Sequence, residues 1–257
     1  MKRIVIKVGS HVLSDENAIS QSRIDNLCKF LSDLSNKFEV ILVSSGAISA
    51  GQAKFDLPRT SVINKQILSS LGQPYLMEIY SNTLSKYGKM AAQILLTAGD
   101  FDSRKITNHA KNVINGLLEN KILPIINEND STGISEIVYG DNDRLSSAVA
   151  YYFDADLLVI LSDIDGYYTA DPSLDKTATI RPVVNSIEQS ELTKISQTGS
   201  KHGTGGITTK LLAADFLMQN GKDMFLASGF DLNVAREFLL NSNQIGGTIF
   251  KGKRWKI

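Results

Sequence analysis

The chain has 257 residues, 42% hydrophobic and 21% charged, which suits a globular protein with one large α/β domain or two small ones. Its 27 lysines and arginines balance 27 aspartates and glutamates, so no basic surplus points to nucleic acid or an anionic membrane. The single cysteine, Cys28, excludes an intrachain disulfide framework and fits a cytoplasmic setting, and three scattered histidines, His11, His109 and His202, argue against a protein-held zinc site. No apolar run is long enough to span a membrane, and no cleavable leader is expected ahead of the first strand.

Residues 4–9 are apolar and β-branched and predict a buried strand ending at Gly9. Lys7 lies inside it. A buried lysine is costly without a partner; the alternatives are a snorkelling edge residue or a ligand group near the carboxyl end of a strand. Residues 20–36 carry Ile24, Leu27, Cys28, Leu31 and Leu34 at helical spacing. A strand at 38–43 runs into Ser44, Ser45 and Gly46, then the small residues to Gly51. That composition lets a ligand approach the backbone, with Ser45 as hydroxyl donor, helix cap or both.

Residues 62–87 predict a long helix interrupted at Gly72, Gln73 and Pro74, with apolar residues on more than one face. It suits either core or subunit interface, and a homo-oligomer is expected. A strand at 91–97 precedes a helix at 102–120 with Ile106, Ala110, Val113, Ile114 and Leu117 as its stripe. The strand at 122–126 ends in Asn127, Glu128, Asn129 and Asp130, which are poor core material. They read as a polar turn or as hydrogen-bonding groups for a small polar molecule. A short hairpin arm is expected at 134–139. Gly140, Asp141, Asn142 and Asp143 then open a helix at 145–153, as cap residues or as a second polar rim facing the first.

A strand at 157–161 ends in Ser162 and Asp163, and a polar excursion holds Asp175, Lys176 and Thr177. Residues 199–210 hold four glycines and two lysines and run into a helix. Glycine freedom, N–H groups at a helix start and Lys210 one turn in together suit a phosphate chain. A flexible capping loop is the alternative, since neither the Walker A nor the dinucleotide spacing is present. A strand at 223–227, a helix at 233–240 and a strand at 247–251 close the chain. The alternation predicts a three-layer αβα sandwich of the α/β class around a mainly parallel sheet. No linker or repeat divides it, so a single domain over 1–257 is expected.

Six segments in this order resemble the amino acid kinase family: VIKVGS at 5–10, VSSGAISAG at 43–51, INEND at 126–130, GDND at 140–143, SD at 162–163 with GYYTADP at 166–172, and GTGGITTK at 203–210. Each alone is weak; together they span nearly the whole chain. The resemblance is to the branch that transfers a phosphoryl group from ATP to the side-chain carboxylate of L-glutamate at the start of proline synthesis. It implies that residues up to about 150 bind the acceptor and the rest bind ATP. Lys7 matches an ATP-contacting lysine. Ser45, Asp130 and Asn142 match acceptor-binding residues. Ser162, Asp163, Thr204, Gly205, Gly206, Ile207, Thr208, Thr209 and Lys210 match ATP-binding segments. Asp143 matches an aspartate that orients Lys7 and Lys210. Mg2+ would arrive with ATP, no metal site of the protein's own is expected, and L-proline would be a feedback inhibitor. Many members carry a further C-terminal domain; this chain ends at Ile257 and reads as the kinase domain alone. Ser162 stands where threonine is common, which keeps the hydroxyl. A related acceptor, such as aspartate, N-acetylglutamate, carbamate or a nucleoside monophosphate, is the main rival. A non-catalytic ligand sensor is the second, and keeping both lysines argues against it.

Overall fold

The fold grows outward from the first strand. A computed structural model describes residues 1–15, 18–133, 142–192 and 206–252. Strand β1 (Lys2–Val8) pairs in parallel with β4 (Phe38–Ser44) on one side and β7 (Leu157–Ser162) on the other. With neighbours on both edges and layers on both faces, its near-continuous apolar run is what burial demands. The side-chain period of two sends Ile4, Ile6 and Val8 into one core and Val5 into the other. Lys7 shares Val5's side and is 1% exposed.

From β1 the sheet extends both ways. On one side β4 is followed by β6 (Ile122–Glu128) and β5 (Met90–Leu96); on the other β7 is followed by β9 (Asp223–Ser228), β10 (Thr248–Phe250) and β8 (Val183–Val184). All pairings are parallel except β10 with β9. The strand order thus reverses at β1, and a ligand crevice belongs outside the carboxyl ends of the strands at such a switch point. A small separate ladder pairs β2 (Ser14–Asp15) with β3 (Ala18–Ile19).

Two helical layers complete the sandwich. On the Ile4 face lie α2 (Gln21–Leu34), α4 (Val62–Ser85) and α8 (Asn233–Asn241), where Phe238 stacks on Phe225 with centroids 3.9 Å apart. On the Val5 face lie α5 (Arg104–Glu119), α6 (Asp143–Tyr152) and α7 (Ile207–Gln219). Two short helices, α1 (Ser10–Leu13) and α3 (Ala47–Gln52), follow β1 and β4 directly. The three-layer αβα sandwich with a mainly parallel sheet is therefore the observed architecture.

Two expectations are corrected. The break at Gly72-Gln73-Pro74 is absent, and α4 is one helix through Pro74. Gly72 serves a close helix crossing instead: a Cβ there would lie 1.8 Å from the Ala47 carbonyl oxygen. The reciprocal holds at Gly51, where a Cβ would meet the Leu68 oxygen at 1.9 Å. The predicted stripe of α5 is also only partly inward, because Ile106 and Val113 are exposed while Ile114 is buried. α5 lies toward the outer part of the sheet, beside β6, and has less core to face. The arm at 134–139, Gly140, Asp141, Thr204, Gly205 and residues 253–257 lie outside the described residues.

Candidate active site

Three charged residues converge at the switch point. Asp143 opens α6 and is fully buried. Its Oδ1 lies 2.7 Å from Lys7 Nζ, and its Oδ2 lies 3.2 Å from Lys210 Nζ. Lys210 is itself buried, in the first turn of α7. Thr209 donates its hydroxyl to Asp143 Oδ2 at 2.8 Å. One carboxylate thus holds two ammonium groups from distant parts of the chain, beside the N-termini of two helices. Among the described residues, two cations face one anion here, beside helix N-termini that favour negative charge. Gly9 borders that ammonium, a Cβ there lying at ordinary contact distance, 3.8 Å from Lys7 Nζ.

The nucleotide-side residues named from sequence gather on the same rim as far as they are described. Ser162 ends β7 and donates to Asp163 Oδ1 at 2.9 Å. Gly206 caps α7, and Ile207 and Thr208 form its first turn. The carboxylate of Asp163 is half exposed at the mouth.

The acceptor-side residues form a second cluster. Gly46 adopts φ 106°, a left-handed conformation that favours glycine, and turns β4 into α3 at Ser45. Asn142 Nδ2 donates to the Ser44 carbonyl at 2.9 Å, to Asn127 Oδ1 at 2.7 Å and to Ser45 Oγ at 3.2 Å. The two polar rims expected from sequence do face one another. Asp130 is buried, and its Oδ2 accepts from Ser69 of α4 at 2.6 Å. Burial raises its pKa above the ordinary carboxylate range, while the Ser69 hydrogen bond works the other way. Glu128, at the end of β6, is pushed up to about 7, chiefly by burial and next by the Asp130 charge. Among the described residues, Asp130 Oδ1, Asn142 Oδ1 and Glu128 Oε1 are buried without a hydrogen-bond partner. Three unmatched acceptors on one rim call for a ligand rich in N–H donors.

Glu128 also borders a cavity of about 610 Å³ walled by Phe101, Arg144, Tyr152, Leu212 and Phe216. Sequence reasoning singled out neither Ser69 nor Gln73 as site residues. The signal was the spacing of Gln66, Ser69 and Gln73, three polar side chains at i, i+3 and i+7 along one side of the helix.

A rim of this kind, with paired lysines on a shared aspartate at the switch point of an αβα sandwich, defines a phosphoryl-transfer fold, and residues 2–228 match the sequence profile of the amino acid kinase family. The chain belongs to that family. It is 52% identical to a glutamate 5-kinase of Leishmania donovani, over 97% of this chain and 95% of the relative. It is 49% identical to the glutamate 5-kinase of Wolinella succinogenes, over 97% of this chain and 98% of the relative. Among solved structures it resembles a UMP kinase from Bacillus anthracis, with a TM-score of 0.61 at 18% identity over 98% of this chain and 96% of that one. An isopentenyl phosphate kinase from T. acidophilum gives a TM-score of 0.62 at 14% identity over 96% of this chain and 99% of that one. At such identities the structural likeness speaks for the fold alone.

Proposed function

We propose that this protein transfers the γ-phosphoryl group of ATP to the side-chain carboxylate of L-glutamate, forming L-glutamyl 5-phosphate and ADP, the first step of proline biosynthesis. The observation that carries the reading is the pairing of two unlike clusters on one rim. The set of unmatched acceptors suits the substrate ammonium, and the two lysines held by Asp143 suit a phosphoryl group in transfer. The name shared by the two relatives, glutamate 5-kinase, supports the same acceptor.

In this reading Asp130 and the Asn142 carbonyl oxygen receive the α-ammonium of glutamate, and Ser45 helps seat the substrate. The substrate carboxylate is ionised at neutral pH, so no general base is needed. One of its oxygens forms the new bond to the γ-phosphorus as the bond to the ADP oxygen breaks. Lys7 and Lys210 stabilise the charge on the equatorial oxygens, and Asp143 keeps both ammonium groups aimed. Ser162, Asp163 and the residues from Thr204 to Lys210 hold ATP. Residues up to about 150 thus serve the acceptor and those beyond serve the nucleotide.

Mg2+ belongs to this reading as a partner of the ATP phosphates, where it offsets their charge. Both oxygens of Asp143 already face lysines. The half-exposed Asp163 carboxylate is the group that fits the water shell of a nucleotide-borne ion. Among the described residues no helix is long and apolar enough to cross a membrane. With a single cysteine, that supports a cytoplasmic enzyme. Ile63, Ile67 and Leu71 are exposed on α4 and support a homo-oligomer packed through that helix.

The test is ADP release across L-glutamate, L-aspartate, N-acetyl-L-glutamate, carbamate and UMP with Mg2+ present. Turnover that depends on L-glutamate and is weak with aspartate is expected. Faster turnover with another acceptor would overturn the assignment.

A further inference from the structure

A line of four amides, exposed at Gln93 and buried at Gln73, Asn127 and Asn142, runs from the sheet edge to the proposed acceptor pocket. Gln93 on β5 accepts from Gln73 Nε2 at 3.0 Å. Gln73 Oε1 accepts from Asn127 Nδ2 at 2.8 Å. Asn127 Oδ1 accepts from Asn142 Nδ2 at 2.7 Å.

The direction of this relay is set by main-chain groups that cannot reverse. The Ser44 carbonyl can only accept, so Asn142 must turn its NH2 toward it. The Glu128 backbone N–H can only donate, and it donates to Asn127 Oδ1 at 2.9 Å. Asn127 must therefore present its NH2 to α4, and Gln73 must answer with its oxygen. Asn142 is left with its carbonyl oxygen as the group without a partner among the described residues. A site lined by acceptors accommodates an ammonium and disfavours an amide nitrogen, which offers fewer protons and no charge.

We propose that Gln73 is a positioning residue that acts through Asn127 to hold the Asn142 carbonyl toward the acceptor, and so sets the preference for a free ammonium group. Gln73 touches neither substrate in this account. It stands on α4 beside the close crossing with α3 at Gly51 and Gly72, and its side chain reaches Asn127 on β6. The proposal rests on the acceptor assignment above.

The experiment measures ADP release by the full chain with L-glutamate and ATP varied separately. Gln73→Leu leaves Asn127 Nδ2 buried and unpaired. It should raise KM for L-glutamate about tenfold or more, a size in keeping with the loss of one buried hydrogen bond. Its kcat and its KM for ATP should stay within about twofold of wild type. Gln73→Glu keeps the accepting oxygen, and Gln93, on the exposed edge strand, can turn its amide to donate. That variant should stay within about threefold of wild type in glutamate KM. If Gln73→Leu does not fold, Gln73→Met, which removes the same amide at similar volume, carries the measurement.

The decisive arm is Gln73→Leu combined with Asn142→Ala. If Gln73 acts through Asn142, the double variant should bind glutamate no worse than Asn142→Ala alone. Additive losses, an unchanged glutamate KM in Gln73→Leu, or equal losses for glutamate and ATP would each overturn the relay. A wild type without glutamate-dependent ADP release would overturn the acceptor assignment and the relay with it. A glutamate-dependent wild type with an indifferent Gln73→Leu would overturn the relay alone.

Discussion

The two halves of the site solve opposite electrostatic problems. On the side proposed for the phosphates, buried lysines from β1 and α7 are stabilised by one buried aspartate, so two cations face one anion among the described residues. On the side proposed for the acceptor, Glu128 and Asp130 are buried with no ion pair among the described residues, and Arg144 is the cation that opposes the upward shift of Glu128. The cationic half is complete in the free protein. In the acidic half the carboxyl groups sit above their ordinary range chiefly because burial strips them of water, and for Glu128 also because the Asp130 charge lies close by. The difference teaches that, on the proposed function, a ligand ammonium is the group the second cluster suits, whereas the first suits an anion.

The largest effects should come from breaking the cationic half. A preorganised charge at a transferring group is typically worth about 10²–10³ in kcat, so Lys7→Ala and Lys210→Ala should each lower kcat at least that far. Each variant leaves Asp143 with the other lysine, and circular dichroism should report an intact fold. The double variant should lose less than the product of the single effects, because both lysines act on one group. Lys210→Arg should not restore full activity, since a planar fork replaces a compact ammonium. A near-normal kcat with only a raised KM for ATP in Lys210→Ala would make α7 a binding element rather than a catalytic one.

Breaking the acidic half should spare ATP. Asp130→Asn keeps the volume and removes the charge, and a lost charge-assisted contact should raise KM for L-glutamate roughly 10- to 100-fold. KM for ATP should hardly move. A rise in KM for ATP of the same size would transfer Asp130 to the nucleotide side.

Glu128 sharpens the contrast through pH. Its folded-state pKa of about 7 lies above the ordinary value of 4.5. A carboxyl raised on folding stabilises the protein below its unfolded pKa, and that contribution is lost as pH rises through the folded value. The Tm of the ligand-free enzyme should therefore fall between pH 5 and pH 8, and saturating L-glutamate should reduce the fall by supplying a cation. Glu128→Gln should flatten the profile in the ligand-free state. A wild-type Tm that rises steadily across this interval would contradict the assignment.

The smallest effect concerns regulation. L-proline carries a carboxylate and a two-proton ammonium, so it suits the same acceptors less completely than glutamate does. Inhibition competitive with glutamate is expected at millimolar-scale proline. Initial rates at several glutamate concentrations decide it, and an indifferent enzyme would separate acceptor binding from feedback.

Much of this site was legible in the chain. Lys7 could be singled out because a lysine amid Ile4, Val5, Ile6 and Val8 breaks the strand's own logic of burial. Asn127 to Asp130 stood out as polar residues where a strand should stay apolar. The alternation of strands and helices is a local property, written in periods of 2 and 3.6, and it determined the α/β class without reference to distant contacts. The six motifs identified the family because they are contiguous stretches of sequence.

Other features were decided only by tertiary structure. Gly72 and Pro74 read as a helix break because local propensity disfavours them, yet the crossing against α3 makes glycine necessary at that point and α4 runs on. Ser69 carried no site reading and Gln73 was read only as part of that break, and the tertiary fold alone brings them to Asp130 and Asn127. Asp143 alone reads as a cap; its second role needs Lys7, 136 positions earlier, and Lys210, 67 positions later, brought to the same point. Sequence determines what each residue can donate, accept or bury. Partner choice between residues so far apart depends on how strands β1, β4, β6 and β7 are ordered in the sheet, and that order is set by the packing of the whole chain.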